Sequence, residues 1–180
     1  MTTSPDRARE FFQLVNKRAI VKSIDVGHAM AWGEVLGIFT TKIPESQNFS
    51  LVRNCPTYIQ EEIIKKNELR ITIIGKKIFA VAMDTQKYRG TKIDWRKAQE
   101  YIASVPHHVV TIPLSLEKRL RKLIDHYSLQ FGAIDMAITP EGEYVFFELN
   151  PAGQFLWLED VTGLPLAQEM AKFLLGKQKV

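Results

Sequence analysis

The most informative hydrophobic pattern lies between Phe131 and Gln154, where two short apolar runs flank a polar turn, Pro140-Glu141-Gly142-Glu143. This pattern predicts a strand, a tight turn and a second strand. Because side chains alternate between the two faces of a strand, the second run should place four residues on one face: Tyr144, Phe146, Glu148 and Asn150.

The predicted hairpin brings three oxygen-bearing side chains together. Pairing of Thr139 with Tyr144 across the turn is the expected register. Asp135 then lies opposite Glu148, with Asn150 on the same face, and a shift of two residues preserves this arrangement. Two carboxylates and one amide oxygen suit Mg²⁺, which takes few protein ligands and completes its octahedron with phosphate and water.

The alternative interpretation is that these residues are ordinary polar groups on the solvated face of an antiparallel hairpin. The second strand argues against it, because the run from Tyr144 to Leu149 is nearly all apolar, as in a strand covered on both faces. A glutamate inside such a run needs a partner. The pattern therefore favours a magnesium site, for which phosphate chemistry is the obvious use.

Other periodic stretches predict the framework around this hairpin. A second hairpin should run from Glu68 to Met83 with its turn at Gly75. Arg70 stands at the start of its nearly all-apolar first strand, where a buried guanidinium needs a carboxylate or phosphate partner. Helical spacing predicts helices from Ser4 to Lys17, from a cap at Ser115, and from near Pro165 to Gly176. The last helix is expected to bury Leu166, Met170, Phe173 and Leu174.

The composition is that of an ordinary globular protein, with 180 residues, 46% hydrophobic and 24% charged. This length allows one domain or two small lobes. No apolar run approaches the roughly 20 residues of a membrane-spanning helix, and the N-terminus does not resemble a signal peptide, so a cytoplasmic location without membrane association is expected. The lone Cys55 excludes an internal disulfide framework.

The net charge of +4 raises the question of nucleic-acid binding. The basic residues are scattered, however, and no aromatic residues are interleaved with them. We therefore expect no nucleic-acid partner, and only a modest preference for anionic ligands such as nucleotides or acidic peptides.

The motifs of the predicted metal hairpin and of the segment after it resemble those of a known family. Asp135, followed by Glu148-Leu149-Asn150-Pro151 and Gly153-Gln154, resembles the C-terminal metal-binding hairpin of the ATP-grasp ligases. The run from Trp157 to Pro165 resembles, more narrowly, the microviridin-type (graspetide) peptide-modifying ligases, which are related to the ribosomal-protein glutamate ligases.

The resemblance implies an α+β fold, the ATP-grasp fold, in which two lobes with antiparallel sheets clamp the nucleotide. Residues 1–59 would form the first lobe, with a phosphate-binding lysine and a mobile loop. Residues 60–180 would form the second lobe, with the adenine hinge and the metal hairpin. The N-terminal domain that precedes this region in complete family members is expected to be absent.

The resemblance also implies ATP and Mg²⁺ as cofactors, and roles for individual residues. Asp135, Glu148 and Asn150 would bind the metal. The residues matched to nucleotide contacts are Lys22 for the phosphates, Glu61, Glu62 and Ile63 for the adenine hinge, and Glu68 for the ribose. For the two carboxylates Glu61 and Glu62, a solvated strand remains the alternative.

Two arginines are matched to the phosphoryl transition state, Arg70 and Arg96, because a planar donor fork stabilises developing charge there. Arg89 is a further, weaker candidate whose alternative is a solvated loop charge. The stretch from Asp25 to Glu34, with its two glycines, is a candidate lid over the phosphates.

By this resemblance, the chain is an ATP-dependent ligase that activates a carboxylate as an acyl phosphate. The product would be a side-chain amide or ester link in a ribosomally made precursor peptide. The alternative is a truncated, non-catalytic module that binds ATP or a leader peptide and needs a partner chain. A homo-oligomer, or a partner that supplies the missing domain, is consistent with either function.

Overall fold

The computed structural model describes residues 1–24, 28–31, 33–88, 90–97 and 104–178, with the backbone alone at 28–31 and 34–36. The chain forms two compact units. The first comprises Met1–Ile63 with Tyr88–Ile102, and the second comprises Ile64–Lys87 with Ala103–Val180. The first unit thus extends past residue 59, the predicted end of the first lobe, and includes a later segment of the chain.

Within the described residues, no helix has the length and apolar character needed to cross a lipid bilayer.

The first unit combines one helix with short antiparallel strands. Its elements are α1 (Pro5–Leu14), β1 (Ala19–Lys22), β2 (His28–Ala31), β3 (Glu34–Gly37), β4 (Thr41–Lys42) and β5 (Tyr58–Glu61). The strands form a sheet of order β4-β1-β5 and a separate β2-β3 hairpin. A short 3-10 helix at Ser50–Asn54 precedes β5. The core contains Ala8, Phe12, Ala19, Ile43, Phe49 and Val52.

Helix α1 begins as the sequence predicts. The Ser4 hydroxyl accepts a hydrogen bond from the Arg7 N–H at 3.4 Å, and Pro5 occupies the first turn, where its missing N–H costs nothing. Ala8 and Phe12 are 1% and 2% exposed, respectively. Ala8 and Phe12, one helical turn apart, therefore face the core of the first unit.

The second unit is built on a five-stranded antiparallel sheet. Its elements are β6 (Asn67–Ile74), β7 (Lys77–Met83), β8 (His107–Val109), α2 (Leu114–His126), β9 (Phe131–Ile138), β10 (Tyr144–Asn150), α3 (Trp157–Thr162) and α4 (Leu166–Leu174). The strand order is β10-β9-β6-β7-β8. A short 3-10 helix at Thr85–Lys87 follows β7. Residues of α2 pack on one face of the sheet, and residues of α3 and α4 pack on the other.

Both predicted hairpins are present in this sheet. In β6, Leu69, Ile71 and Ile73 face α2, because they join the same buried cluster as residues of that helix. Arg70 and the other even-numbered residues therefore point to the opposite face. This alternation leaves two charged side chains, Glu68 and Arg70, buried on that face of a strand whose remaining buried residues are apolar apart from Thr72.

Several local predictions were wrong. Helix α2 begins at Leu114 with Pro113 as its N-cap residue, and the predicted cap, Ser115, makes no capping hydrogen bond. Leu174, expected to be buried, is the last residue of α4 and is 74% exposed. The short elements β8 and α3 were not predicted, since neither is long enough to show a clear period.

The β6–β7 turn provides a stability test, because Gly75 has φ +53° and an added Cβ would lie 2.7 Å from the Phe173 ring and 2.3 Å from Gln178 Oε1. Gly142, in the β9–β10 turn, has φ +87° but nothing within 4 Å. We expect Gly142→Ala to cost about 1 kcal/mol of backbone strain, and Gly75→Ala to cost about 1–3 kcal/mol more through overpacking.

Chemical denaturation of both variants, compared with the wild type, checks this expectation. Because both glycines lie at positive φ, the difference between the variants isolates the packing of α4 and its C-terminal extension against the turn. Equal losses in the two variants would mean that this packing contributes nothing.

Candidate functional site

Hairpin β9–β10 holds the three predicted metal ligands. The Cα partner of Glu148 is Asp135, as predicted, and Asn150 is opposite Ala133. The register at the turn differs by one residue from the prediction, however, because Tyr144 pairs with Ile138. A β-bulge between Phe146 and Glu148 absorbs this difference.

The bulge changes which residues share a face. Tyr144 and Leu149 both pack against the cluster beneath α2, although they are five residues apart. The prediction that Tyr144 lies on the face of Glu148 and Asn150 was therefore wrong, since one extra residue inverts the alternation. The face of the two proposed ligands themselves was predicted correctly.

The expectation that this strand is covered on both sides was also wrong. Strand β10 lies at the edge of the sheet, Phe146 is 46% exposed, and Glu148 and Asn150 are both exposed. Glu148 is thus not a buried carboxylate in need of a partner. It is an accessible carboxylate on the edge strand of the hairpin.

Arg70 is a buried residue beside the three proposed metal ligands. Its strand pairs with β9 so that Arg70 and Asp135 are Cα partners. Nη1 donates to Asp135 Oδ1 at 2.6 Å, and Nη2 donates to the Gln154 carbonyl at 2.7 Å. The side chains of Arg70 and Asp135 are 8% and 23% exposed, so the prediction of an anionic partner for Arg70 is confirmed.

The segment after β10 folds back over the sheet beside Arg70. The Ala152 N–H donates to Asn150 Oδ1 at 2.9 Å, and the Gly153 N–H donates to the Asn150 carbonyl at 3.3 Å. A Cβ on Gly153 would lie 2.5 Å from the Ala133 Cβ and 3.1 Å from Arg70 Nη2. Only glycine permits this close approach.

These residues fit a magnesium ion. Among the described residues, Glu148 and the second oxygen of Asp135 have no hydrogen-bond or ionic partner, and Asn150 Oδ1 retains a lone pair beyond its bond to Ala152. No group of three or more His, Cys, Asp or Glu residues in the described ranges could hold a metal. The proposed site has only two carboxylates and one amide, so coordination positions on the cation would stay open for phosphate and water, as Mg²⁺ prefers.

Glu68, the residue matched to the ribose, lies two residues before Arg70 on the same face of β6. It is 5% exposed and forms an ion pair with Lys65, which is itself buried. A carboxylate so enclosed needs this compensation. The structure therefore groups Glu68, Arg70 and the three proposed metal ligands on one face of one sheet.

The remaining candidates belong to the first unit. Lys22 is the last residue of β1, opposite Tyr58, and is half-buried. Glu61 ends β5 and is exposed, whereas the Glu62 carboxylate lies 2.7 Å from Lys42 Nζ. Of the predicted hinge, Ile63 is the residue whose backbone N–H and carbonyl have no partner among the described residues.

Arg96 is held by Asp94. Its Nε and Nη2 donate to the two carboxylate oxygens at 2.9 and 2.6 Å, and the Thr40 N–H donates to the same carboxylate at 2.9 Å. Burial raises the pKa of Asp94, but these hydrogen bonds outweigh it and hold the pKa below its ordinary value. Arg89 and parts of the candidate lid (25–27 and 32) lie outside the described residues.

The Asp94 cluster makes a pH prediction. A depressed folded-state pKa stabilises the protein above the ordinary aspartate value of about 3.9, and this contribution is lost as the pH falls through the lower folded value. We expect Asp94→Asn to be less stable than wild type at neutral pH and to lose less stability between about pH 4 and pH 2. Denaturant titrations at several pH values test this, with Asp6→Asn, an exposed carboxylate on α1, as the control.

A second polar cluster, which was not predicted from the sequence, surrounds Asp84. Asn67 Nδ2 donates to Asp84 Oδ1 at 2.7 Å, while Lys87 and His108 contact Oδ2 at 2.5 and 3.3 Å. The hydrogen bond from Lys87 lowers the pKa of Asp84 most, burial opposes it, and His108 adds to the lowering. The only signal in the sequence is a carboxylate placed directly after an apolar strand.

Comparison with known proteins gives a consistent set of structural neighbours. An ATP-grasp ligase from Chryseobacterium gregarium, described as RiPP-associated and in complex with ADP and a leader and core peptide, matches with a TM-score of 0.90 and 31% identity. The match covers 99% of this chain and 54% of that one. RiPP here denotes a ribosomally synthesised and post-translationally modified peptide.

Two macrocyclases from Microcystis aeruginosa also match. MdnC, described as bound with precursor peptide MdnA, has a TM-score of 0.82 and 31% identity over 98% of this chain and 55% of its own. MdnB has a TM-score of 0.67 and 33% identity over 97% of this chain and 52% of its own. The chain therefore spans about half the length of these relatives. No family model and no curated protein matches it.

Proposed function

The chain belongs to the ATP-grasp ligases, in the RiPP-associated branch, and from this membership we propose that it takes part in ATP-dependent ligation of a ribosomally made precursor peptide. A peptide carboxylate would be joined to an amine or hydroxyl as a side-chain amide or ester. The observation that carries the proposal is the convergence of Asp135, Glu148 and Asn150 on one face of β9–β10, with oxygens left over for a cation. Cytoplasmic location remains a prediction from sequence.

Asp135, Glu148 and Asn150 are the residues that would hold Mg²⁺. When bound, the cation supplies positive charge against the phosphates of ATP. The protein's part is to keep the three ligands on a rigid hairpin. Cross-strand pairing fixes Asp135 against Glu148, and the bond from the Ala152 N–H fixes the Asn150 side chain.

The proposed reaction has two steps. A carboxylate oxygen of the peptide attacks the γ-phosphorus of ATP, so that an acyl phosphate forms and ADP leaves. An amine or hydroxyl of the peptide then attacks the acyl carbon, loses its proton, and releases inorganic phosphate. One ATP is consumed and one water is lost from the peptide for each bond formed.

Nucleotide contacts are proposed for each unit separately. In the first unit, Lys22 would neutralise phosphate charge, and the backbone of Glu61, Glu62 and Ile63 would read the adenine edge. The N–H and carbonyl of Ile63, which have no partner in the described part of the chain, support the hinge role, because a purine edge needs one donor and one acceptor. In the second unit, Glu68 would accept hydrogen bonds from the ribose hydroxyls.

The two proposed catalytic arginines are both engaged. Arg70 is held by Asp135 and the Gln154 carbonyl, and Arg96 is held by Asp94. Arg96 is the better candidate for direct contact with a transferred phosphoryl group, because its side chain is 46% exposed, against 8% for Arg70. A guanidinium that keeps its carboxylate partner can still donate from its remaining N–H groups.

A second candidate function is a non-catalytic module that binds ATP or a leader peptide and acts with a partner chain or a second copy. The neighbour from Chryseobacterium gregarium is described in complex with ADP and a leader peptide, the two kinds of ligand that such a module would bind. Loss of water from a peptide separates the two functions, since a binding module leaves the mass of the peptide unchanged.

The experiment is a mass measurement on an acidic peptide that carries Thr, Lys, Asp and Glu, incubated with the chain, ATP and Mg²⁺. The proposal expects loss of one water per bond and one ADP formed for each loss. Glu148→Gln should stop both. Binding of ATP without any loss of water from a panel of such peptides would favour the module, and neither binding nor loss would contradict both functions.

A further inference from the structure

Arg70 has a geometry that differs from that of a phosphate-contacting arginine. The residue as a whole is 6% exposed. Its two terminal nitrogens both donate hydrogen bonds, Nη1 to Asp135 and Nη2 to the Gln154 carbonyl. Its Nε is buried and has no hydrogen-bond partner among the described residues. The fork thus points at two parts of the protein that are distant in sequence.

We propose that Arg70 is a positioning residue: its guanidinium ties Asp135 to the turn that follows Asn150, and so sets the spacing of the metal ligands. The inference rests on the proposed function of the hairpin. It assigns to Arg70 an action through Asp135 and Asn150 in place of direct contact with the reacting phosphate.

The two bonds from Arg70, one to Asp135 and one to the Gln154 carbonyl, form what we call the clamp. Its first half acts on Asp135. Arg70 and Asp135 are Cα partners on neighbouring strands, and the 2.6 Å bond occupies only Oδ1. The carboxylate is therefore held in one rotamer with Oδ2 left for a cation. A ligating carboxylate is normally oriented by a hydrogen bond of this kind from a group behind it.

The second half acts on Asn150 through the chain that follows it. The Gln154 carbonyl is held by Nη2, and the turn between Asn150 and Gln154 is closed by the bonds of Ala152 and Gly153 to Asn150. Gly153 lies so close to the sheet that an added Cβ would meet Ala133, Arg70 and Asn150 at 2.5, 3.1 and 3.3 Å. Release of the carbonyl would free this turn, and Asn150 with it.

Lysine cannot replace the clamp. Its single ammonium can pair with Asp135 but cannot reach a carboxylate and a carbonyl in a fixed planar fork. Arg121 offers a matched control, because it also bridges a carboxylate and a carbonyl: it pairs with Glu117 and donates to the Lys76 carbonyl at 2.9 Å. It belongs to α2, which packs on the opposite face of the sheet.

The test is calorimetric titration of ATP into the full chain at a series of Mg²⁺ concentrations, for wild type, Arg70→Lys, Gly153→Ala and Arg121→Lys. We expect the half-saturating Mg²⁺ concentration to rise by about 10- to 100-fold in Arg70→Lys. It should rise also in Gly153→Ala, which moves the turn without removing a charge, so this variant decides the matter if Arg70→Lys does not fold. Arg121→Lys should match wild type, and saturating Mg²⁺ should restore ATP affinity in all variants.

Three results would overturn the inference. An unchanged Mg²⁺ requirement in Arg70→Lys and Gly153→Ala would remove the positioning role. A loss of ATP affinity that is equal at every Mg²⁺ concentration would mean that Arg70 contacts the nucleotide directly. If wild type itself binds ATP without regard to Mg²⁺, or not at all, the proposed function fails and the inference fails with it, an outcome visible before any variant is measured.

Discussion

Asp135→Asn is expected to lower the free energy of unfolding by about 2–3 kcal/mol, because it leaves the Arg70 charge buried without a counter-ion. Losses of about 3–5 kcal/mol are typical when a fully buried pair is broken. The smaller value applies here because the Asp135 side chain is 23% exposed and water can approach it. Urea denaturation of the variant and the wild type measures the difference.

The hairpin supplies its own control for this prediction. Glu148 is the cross-strand neighbour of Asp135 and carries the same charge, but it is exposed and has no ionic partner among the described residues. Glu148→Gln should therefore change stability by no more than about 0.5 kcal/mol. In Arg70→Met/Asp135→Asn, much of the loss should be recovered, since no unpaired charge remains. Equal losses in Asp135→Asn and Glu148→Gln would contradict the assigned ion pair.

The second large effect concerns ligand binding. The double variant Glu148→Gln/Asn150→Ala should lose Mg²⁺-dependent ATP binding by about 100-fold or more, because it removes one charged and one neutral oxygen ligand of the three that are proposed. The fold should be intact, since both side chains are exposed. Calorimetry with and without Mg²⁺ gives the affinity, and circular dichroism checks the fold.

The matched control for the double variant is Glu141→Gln in the turn of the same hairpin. Glu141 is exposed and lies in the turn, away from the three proposed ligands, so its loss removes a carboxylate without removing a proposed ligand. Its ATP affinity should equal that of wild type. If Glu141→Gln weakened binding as much as the double variant, a general electrostatic effect of the hairpin would explain the result better than ligation.

The sequence carried enough information for the centre of this site because strand alternation and cross-strand pairing are local rules. Asp135 and Glu148 were predicted to face each other, and they do. The register from which this pairing was predicted was wrong at the turn by one residue, and a bulge after Phe146 restores the predicted pairing. Bulges have no reliable sequence signal, so the misplaced face of Tyr144 could not have been foreseen.

For long-range contacts, the sequence predicts the chemical type of the partner but not which residue it is. A buried strand arginine requires an anion, and that requirement holds for Arg70. That the anion is Asp135, 65 residues away, follows only from the order of strands in the sheet. The same limit explains why the bond from the Thr40 N–H to Asp94, across 54 residues, was missed.

The most direct test of the account is a crystal structure of this chain grown with ADP and Mn²⁺, in which the anomalous signal of manganese locates the cation. If the proposed site is right, the manganese peak lies next to Glu148, Asn150 Oδ1 and the oxygen of Asp135 that does not accept from Arg70, and the hydrogen bond from Arg70 is retained. A peak elsewhere on the chain, with Glu148 and Asn150 left in contact with solvent alone, would contradict it.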